Sequence, residues 1–420
     1  MRIRYSLILL NCLIYISFFL GFILKENSAG GGETDFHHIY NNIILFKNFD
    51  LNEINWFTYE STALPIYYLI IKYFGLFDVQ FLNLFNFILA ISIVLIFYLI
   101  LLLLKKNNKL LVENYVLFSI SSLLLLSPYF RTSTFWSLEE NIGYLFMLLS
   151  IYFAFKSQTK LSLILSIFFA CLAFYSRQSY AFIVLVTFFF YYKFNDILST
   201  KNLLVVFLFS ILLLPSLYFF FQWNGLIPPY AAADRAIKFQ TVNIPVILSI
   251  CLFYLIPFFI LEDKNKILNF LIKKKIIFVI TLLLFFLFFY ENIQTNDVYY
   301  KIKLGGGILY KLIFHFNFLI QDFILQKILF VIISWLGFIS IFFYSKKSLS
   351  LAIFFIIFII IFSNANIIFQ EYFDPMITIL IIIFYKTKDP ECNFTKLYFM
   401  LFSYKSVLLL SSLMYYYKFI

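Results

Sequence analysis

Four polar groups stand out in a chain that is 63% hydrophobic and only 13% charged. The first lies in "GGGETDFHH", Gly30 to His38, just past the first long apolar run, and holds Glu33, Asp35, His37 and His38. A carboxylate at a membrane edge is placed to act as a general base or to orient a hydroxyl. The three glycines before it let the backbone turn tightly. The alternative is a solvated loop carboxylate. His37 and His38 are adjacent, and no further histidine follows until His315. Metal ligands on one helix face usually sit three or four residues apart, so hydrogen bonding to a phosphate or sugar suits this pair better than zinc.

The second group is Arg131, Glu139, Glu140 and Asn141, around Trp136. Charges this close to hydrocarbon are costly and normally face a bundle interior or a wet cavity, where they mark a pathway or site. Arg131 has a second reading, as a snorkelling anchor beside an interfacial tryptophan. The two glutamates have one as well, since they begin an apolar helix whose dipole favours carboxylates there. Arg177 with Gln178 forms the third group: its guanidinium either binds a lipid phosphate in a bidentate contact or anchors the interface. Gln370, Glu371, Tyr372 and Asp374 form the fourth. Together these groups make a candidate catalytic pair, Asp35 and Glu33, and a substrate-binding set around it.

The elements that must position them are membrane helices. Mean hydropathy is +0.94 and the chain holds 61 phenylalanines, whereas soluble domains carry about 25% charged residues. The expected fold is all-α, a polytopic transmembrane bundle forming one integral membrane domain over 1–420, with a first outer loop at 25–79. A crossing needs about 20 apolar residues, and about thirteen segments qualify in length or nearly so. They are 5–24, 80–104, 110–127, 141–156, 161–176, 179–193, 203–221, 244–262, 276–290, 323–344, 348–364, 373–386 and 396–416. The first of these has no small-residue cleavage site and reads as an uncleaved signal-anchor.

Orientation follows from Lys and Arg, which resist translocation when they lie in short loops. With the amino terminus inside, Arg4, Lys105, Lys106, Lys109, Lys264, Lys266, Lys273, Lys274, Lys275, Lys386 and Lys388 fall on the inner side. The first outer loop instead sets Lys25, Lys47 and Lys72 against Glu26, Glu33, Asp35, Asp50, Glu53, Glu60 and Asp78. The net charge of +11 is therefore topology, and no nucleic acid partner is expected. All four polar groups emerge on the outer side, where they can converge on one cavity. Two further segments, "IYNNIILFKNF" and "ILYKLIFHFNFLIQDFILQKILF", have the mixed helical spacing of helices lying at the headgroup level. Cys12, Cys171, Cys251 and Cys392 are scattered and show neither metal spacing nor a disulfide framework. The abundance of Ile, Phe, Lys and Asn points to an AT-rich genome and a bacterial inner membrane, or to the endoplasmic reticulum in a eukaryote.

The arrangement resembles the GT-C superfamily of membrane glycosyltransferases, whose members carry an acidic motif in the first outer loop, here "ETD". "STALPIYYLIIKYFG" is similar to the "PPLYYWL…FG" stretch of many such enzymes at Pro65, Tyr67, Tyr68 and Gly75. Within the superfamily the chain looks most like the dolichyl-phosphate-glucose α-1,2-glucosyltransferase family. That resemblance rests on "TDFHHI" at Thr34 to Ile39, "STALPIYY" at Ser61 to Tyr68, Arg177 with Gln178, and "QEYFDP". Apart from "QEYFDP" it covers the first 180 residues or so. The family's paired acids become Thr34 and Asp35 here, with Glu33 one position earlier.

The resemblance implies inverting transfer of a sugar from a polyprenyl-phosphate donor to a glycan or lipid-linked acceptor, on the non-cytoplasmic face and without a cofactor. Asp35, or Glu33, would be the base, and His37 and His38 would hydrogen-bond phosphate or acceptor. Arg131, Arg177, Arg235 and Lys238 would offset the charge of the leaving phosphate, and the apolar bundle and membrane lipids would take the prenyl tail. The competing class is a transporter or flippase of lipid-linked saccharides. Such a protein should place its charges near the bilayer midplane and show inverted halves; neither is evident in the sequence. A polysaccharide polymerase should show a large Arg-rich outer loop, and the outer loops here hold too few arginines.

Overall fold

The computed structural model of the chain describes residues 2–108, 112–156, 159–234, 239–295, 299, 305–315, 322–384 and 394–417. Lys109, Arg235, Lys238, Lys386, Lys388 and Cys392 lie outside the described residues. Among the described residues all regular structure is helical and there is no strand, as expected where lipid offers the backbone no hydrogen-bond partner. The chain divides into two units, Met1–Asp234 with Asn393–Ile420, and Arg235–Cys392.

The first unit contains α1 (Arg2–Ile23), α2 (Gly32–Asn48), α3 (Ile66–Phe74), α4 (Val79–Asn108), α5 (Asn114–Ser122), α6 (Pro128–Phe135), α7 (Glu140–Lys156), α8 (Lys160–Ser176), α9 (Ala181–Tyr191), α10 (Thr200–Trp223) and the helix Phe394–Tyr416. α7 packs against α8 and α4, and α1 against α5 and α6. α4 shows how the apolar sequence divides: Leu82, Leu89, Ile93, Phe97 and Ile100 are buried, while Phe81, Leu84, Ile88, Leu95 and Leu99 stay exposed along the opposite face. Such a stripe of large exposed apolar side chains suits lipid, which solvates leucine as well as another helix does.

Among the described residues, six helices are long and apolar enough to cross a membrane: α1, α4, α10, Asn243–Leu261, Phe323–Ser345 and Phe394–Tyr416. Each coincides with a predicted crossing to within a few residues. α6 and α7 pass the same test only as a pair bent by 114°. The other predicted crossings are shorter helices, namely α5, α8, α9, Lys275–Phe289, Leu349–Ser363 and Met376–Phe384. At 1.5 Å per residue, the 17 residues of α8 span about 26 Å and the 11 of α9 about 17 Å, against a hydrocarbon core of about 30 Å. Helix length therefore supports six crossings, or seven with the bent pair.

Of the two segments expected at the headgroup level, the first lies within α2. Its apolar side chains, Ile39, Ile43 and Phe46, are buried within the protein, and Phe46 stacks on Tyr68 with ring centroids 5.5 Å apart. The second divides into the short helix Gly307–Phe314 and the start of Phe323–Ser345, with 316–321 outside the described residues.

In the second unit, Asn243–Leu261 packs on Phe323–Ser345. The crossing is close because Gly337 leaves no room for a Cβ against the Leu248 carbonyl, the small-residue contact typical of membrane helices. Ser334 donates to the Pro245 carbonyl at 2.9 Å, which satisfies its buried hydroxyl.

Candidate functional site

The acidic motif is the first turn of α2. Gly30 (φ 72°) and Gly31 (φ 73°) are both left-handed, a conformation glycine adopts without steric cost. Gly32 lies where a Cβ would stand 2.7 Å from the Thr132 methyl and from the Trp136 ring. Two neighbouring bonds dock the same turn on α6: Ala29 N–H to Thr132 Oγ1 at 2.9 Å and Ser28 Oγ to the Pro128 carbonyl at 3.0 Å. Glu33, Asp35, His37 and His38 are all exposed. The two carboxylates sit where the helix dipole favours negative charge.

The second element is the bend between α6 and α7. α6 begins with Ser127 accepting from Phe130 N–H at 3.1 Å and Pro128 in its first turn, a strong helix-start pairing. It ends with Ser137 at φ 53°, Leu138 N–H bonded to Ser133 O at 2.8 Å, and Ser137 N–H bonded to Thr134 O at 3.4 Å. This is the Schellman pattern with serine in the place glycine usually takes. Two other contacts hold that serine: its hydroxyl donates to Asn83 Oδ1 at 2.6 Å, and its carbonyl accepts from Tyr67 OH at 2.9 Å. Asn141 fastens the bend, accepting from Ser133 Oγ at 2.9 Å and donating to Thr134 Oγ1 at 3.0 Å.

The bend aims Glu139 at the segment 59–68. Ser61 Oγ donates to Glu139 Oε1 and Tyr68 OH to Oε2, each at 2.8 Å. Tyr68 OH in turn accepts from Asn42 Nδ2 at 3.1 Å, and Asn42 Oδ1 accepts from Glu60 N–H at 2.8 Å. The Glu60 carboxylate meets His38 Nδ1 at 2.8 Å and Asn41 Nδ2 at 3.1 Å. Beside Glu139, Glu140 Oε1 accepts from Arg177 Nη1 at 3.2 Å. Arg177 is set by the end of α8, where its N–H bonds Ala173 O at 3.2 Å. α7 approaches that corner closely, for a Cβ on Gly143 would lie 2.5 Å from Ser176 Oγ and 2.6 Å from the Tyr180 ring.

Glu139 lies in the connection before α7, outside the helices. Burial pushes its carboxyl up to about 7, and the neighbouring charge of Glu140 adds to the rise; the hydrogen bonds from Tyr68 and Ser61 oppose it. A partly buried carboxyl that titrates near neutrality beside an ion-paired one is the kind of group found at functional sites.

The predicted residues divide between this corner and other parts of the fold. His38, Glu139, Glu140 and Arg177 share one polar cluster or its immediate neighbourhood, and Glu33, Asp35 and His37 lie on the helix tied to it. Gln178 stands beside Arg177 and donates to the Leu226 carbonyl at 3.5 Å. Arg131 is bonded elsewhere: its guanidinium meets Glu26 and the carbonyls of Ser17 and Leu125. Gln370, Glu371 and Tyr372 belong to the second unit. There Gln370 donates to Tyr254 OH at 3.0 Å and accepts from Ile308 N–H at 2.8 Å, and Tyr372 stacks on Phe362 at 4.9 Å.

Five partners went unassigned from sequence: Glu26, Asn42, Glu60, Ser61 and Tyr68. Asn42 left one signal, an amide in the otherwise apolar series Ile39, Ile43 and Phe46. Among the described residues no group of three His, Cys, Asp or Glu side chains is close enough to hold a metal ion. No family model, no curated protein and no solved structure matches this chain.

Proposed function

We propose that the protein is an inverting membrane glycosyltransferase of GT-C type, with about thirteen crossings if its short apolar helices are counted. It moves a sugar from a polyprenyl-phosphate carrier to a glycan or lipid-linked acceptor on the non-cytoplasmic face. The Asp35 carboxylate, with Glu33 as the alternative, takes the proton of an acceptor hydroxyl. That oxygen forms the new bond to the anomeric carbon. The bond from that carbon to the phosphate oxygen breaks, and the electron pair leaves with the polyprenyl phosphate. Arg177 offsets the charge that grows on the leaving phosphate, while Glu140 is available to accept a hydroxyl.

One observation carries the reading. The exposed carboxylates of α2 belong to a helix that a continuous run of hydrogen bonds ties to Glu139, beside the Glu140–Arg177 pair. A base, a cation and a hydroxyl acceptor are the parts such a transfer needs. The test is a transfer assay in membranes with a panel of polyprenyl-phosphate sugars, comparing wild type with Asp35→Asn and Glu33→Gln. Product from wild type, and its loss in one of the two variants, supports the transferase and identifies the base. If wild type consumes no donor, the proposal is overturned, and flipping of lipid-linked sugar in liposomes is measured next.

A further inference from the structure

The buried polar chain between α2 and the α6–α7 bend has a purpose that packing alone does not require. Asn42 and Tyr68 are both fully buried, and burying an amide and a phenol is unfavourable unless their hydrogen bonds are made. Here every link is made. Asn42 uses both its amide nitrogen and its carbonyl oxygen, Tyr68 OH both accepts and donates, and each Glu139 oxygen accepts one bond.

The buried face of α2 is otherwise apolar, with Ile39, Ile43 and Phe46. Leucine at position 42 would fill that face without any need for partners. Asparagine instead selects one rotation of the helix, because turning α2 by a residue about its axis breaks both Asn42 bonds at once. The same 59–68 segment also holds the flank of that face through Glu60, which meets His38, one turn before Asn42, and Asn41. α2 is thus held at adjoining points by one stretch of chain, and that stretch is itself anchored on Glu139.

We infer that Glu139 is a positioning residue for α2, acting through Tyr68 and Asn42 to fix the helix that presents Asp35 and His38. The inference rests on the glycosyltransferase reading, in which Asp35 must meet an acceptor hydroxyl. A displacement of about 1 Å at such a base costs about 100-fold in rate.

The test uses the full chain in nanodiscs with four variants: Tyr68→Phe, Asn42→Leu, Glu139→Ala and Glu139→Gln. Two quantities are read on each, backbone amide exchange along 33–41 and the steady-state constants of transfer. Tyr68→Phe keeps the ring on Phe46 and removes only the hydroxyl. It and Glu139→Ala should speed exchange in α2 about tenfold or more and lower kcat at nearly unchanged donor KM, with exchange in α8 unmoved. Asn42→Leu should do the same. Glu139→Gln keeps an oxygen that accepts from Tyr68, so it should restore both quantities to near wild type.

Two results overturn the inference. One is a rate loss in Glu139→Ala with α2 exchange unchanged, which would mean that Glu139 meets substrate directly. The other is Glu139→Gln as damaging as Glu139→Ala on both readings. If wild type transfers no sugar at all, the glycosyltransferase reading fails on its own. Exchange in the four variants then still decides whether Glu139 holds α2.

Discussion

Arg131 and Glu26 meet as a buried, two-pronged ion pair, with Nε donating to Oε1 at 2.7 Å and Nη2 to Oε2. The Arg131 side chain is only 1% exposed. Its remaining bonds run to Ser17 O at 2.9 Å and Leu125 O at 3.2 Å, so one side chain joins α1, the turn after it and the approach to α6. Removing one partner of a buried pair leaves an uncompensated charge, at a cost of about 3–5 kcal/mol. Arg131→Ala and Glu26→Gln should each lower the melting temperature in detergent. Arg131→Lys should not rescue, because an ammonium cannot reproduce the fork; a lysine variant as stable as wild type would refute the assignment.

Gly21 leaves room for that pair. A Cβ there would stand 2.6 Å from Arg131 Nη2 and 2.7 Å from both Glu26 Oε2 and the Phe135 ring. Replacing glycine by alanine inside a helix normally gains about 1 kcal/mol, whereas overpacking a filled site costs about 1–3 kcal/mol. The clash should win because it also disturbs the ion pair. Gly21→Ala is expected to melt earlier than wild type, and a higher melting temperature would count against this account.

The Glu139 carboxyl should make stability depend on pH. Its native value, about 7, lies above its ordinary 4.5, so between those values the folded chain binds more protons than the unfolded chain. Stability then falls as pH rises. The contribution is fully present below about 4.5 and is lost as pH passes through about 7. Melting curves of wild type and Glu139→Gln from pH 4 to 8 should converge in acid and separate toward neutrality, with wild type the less stable. Parallel curves across that range would contradict it.

Arg177 is partly exposed beside Glu140 and faces a different prediction. If its guanidinium serves the donor phosphate, Arg177→Ala should raise donor KM about tenfold, equivalent to about 1.4 kcal/mol of lost binding. Folding should hold, because a partly exposed pair contributes little, about 0–1 kcal/mol. Initial rates against donor concentration check this, and an unchanged KM would leave Arg177 as an interface anchor.

Much of the fold is legible in the amino-acid sequence. The six long helices start and stop within a few residues of where apolar runs begin and end, because a crossing is a local property of about 20 consecutive side chains. The sites of polarity are equally plain, since ionisable groups in so apolar a chain are few. The shorter runs are located as well, the run 161–176 becoming α8 at Lys160–Ser176, but helix length by itself supports only six or seven crossings.

By itself, then, the sequence determined a helical membrane protein with its polar groups gathered in a few short stretches. Only the tertiary structure decided their partners. Arg131, equally readable as a site residue or an anchor, is held by Glu26, 105 residues away. Glu139, readable as a helix-start charge, is held by Ser61 and Tyr68, 78 and 71 residues away. The apolar face of α2, which suited a lipid surface, lies against the protein's own aromatic rings. Periodicity records which face of a helix is apolar, but what covers that face depends on chain segments distant in sequence, and their pairing is fixed only when the bundle packs.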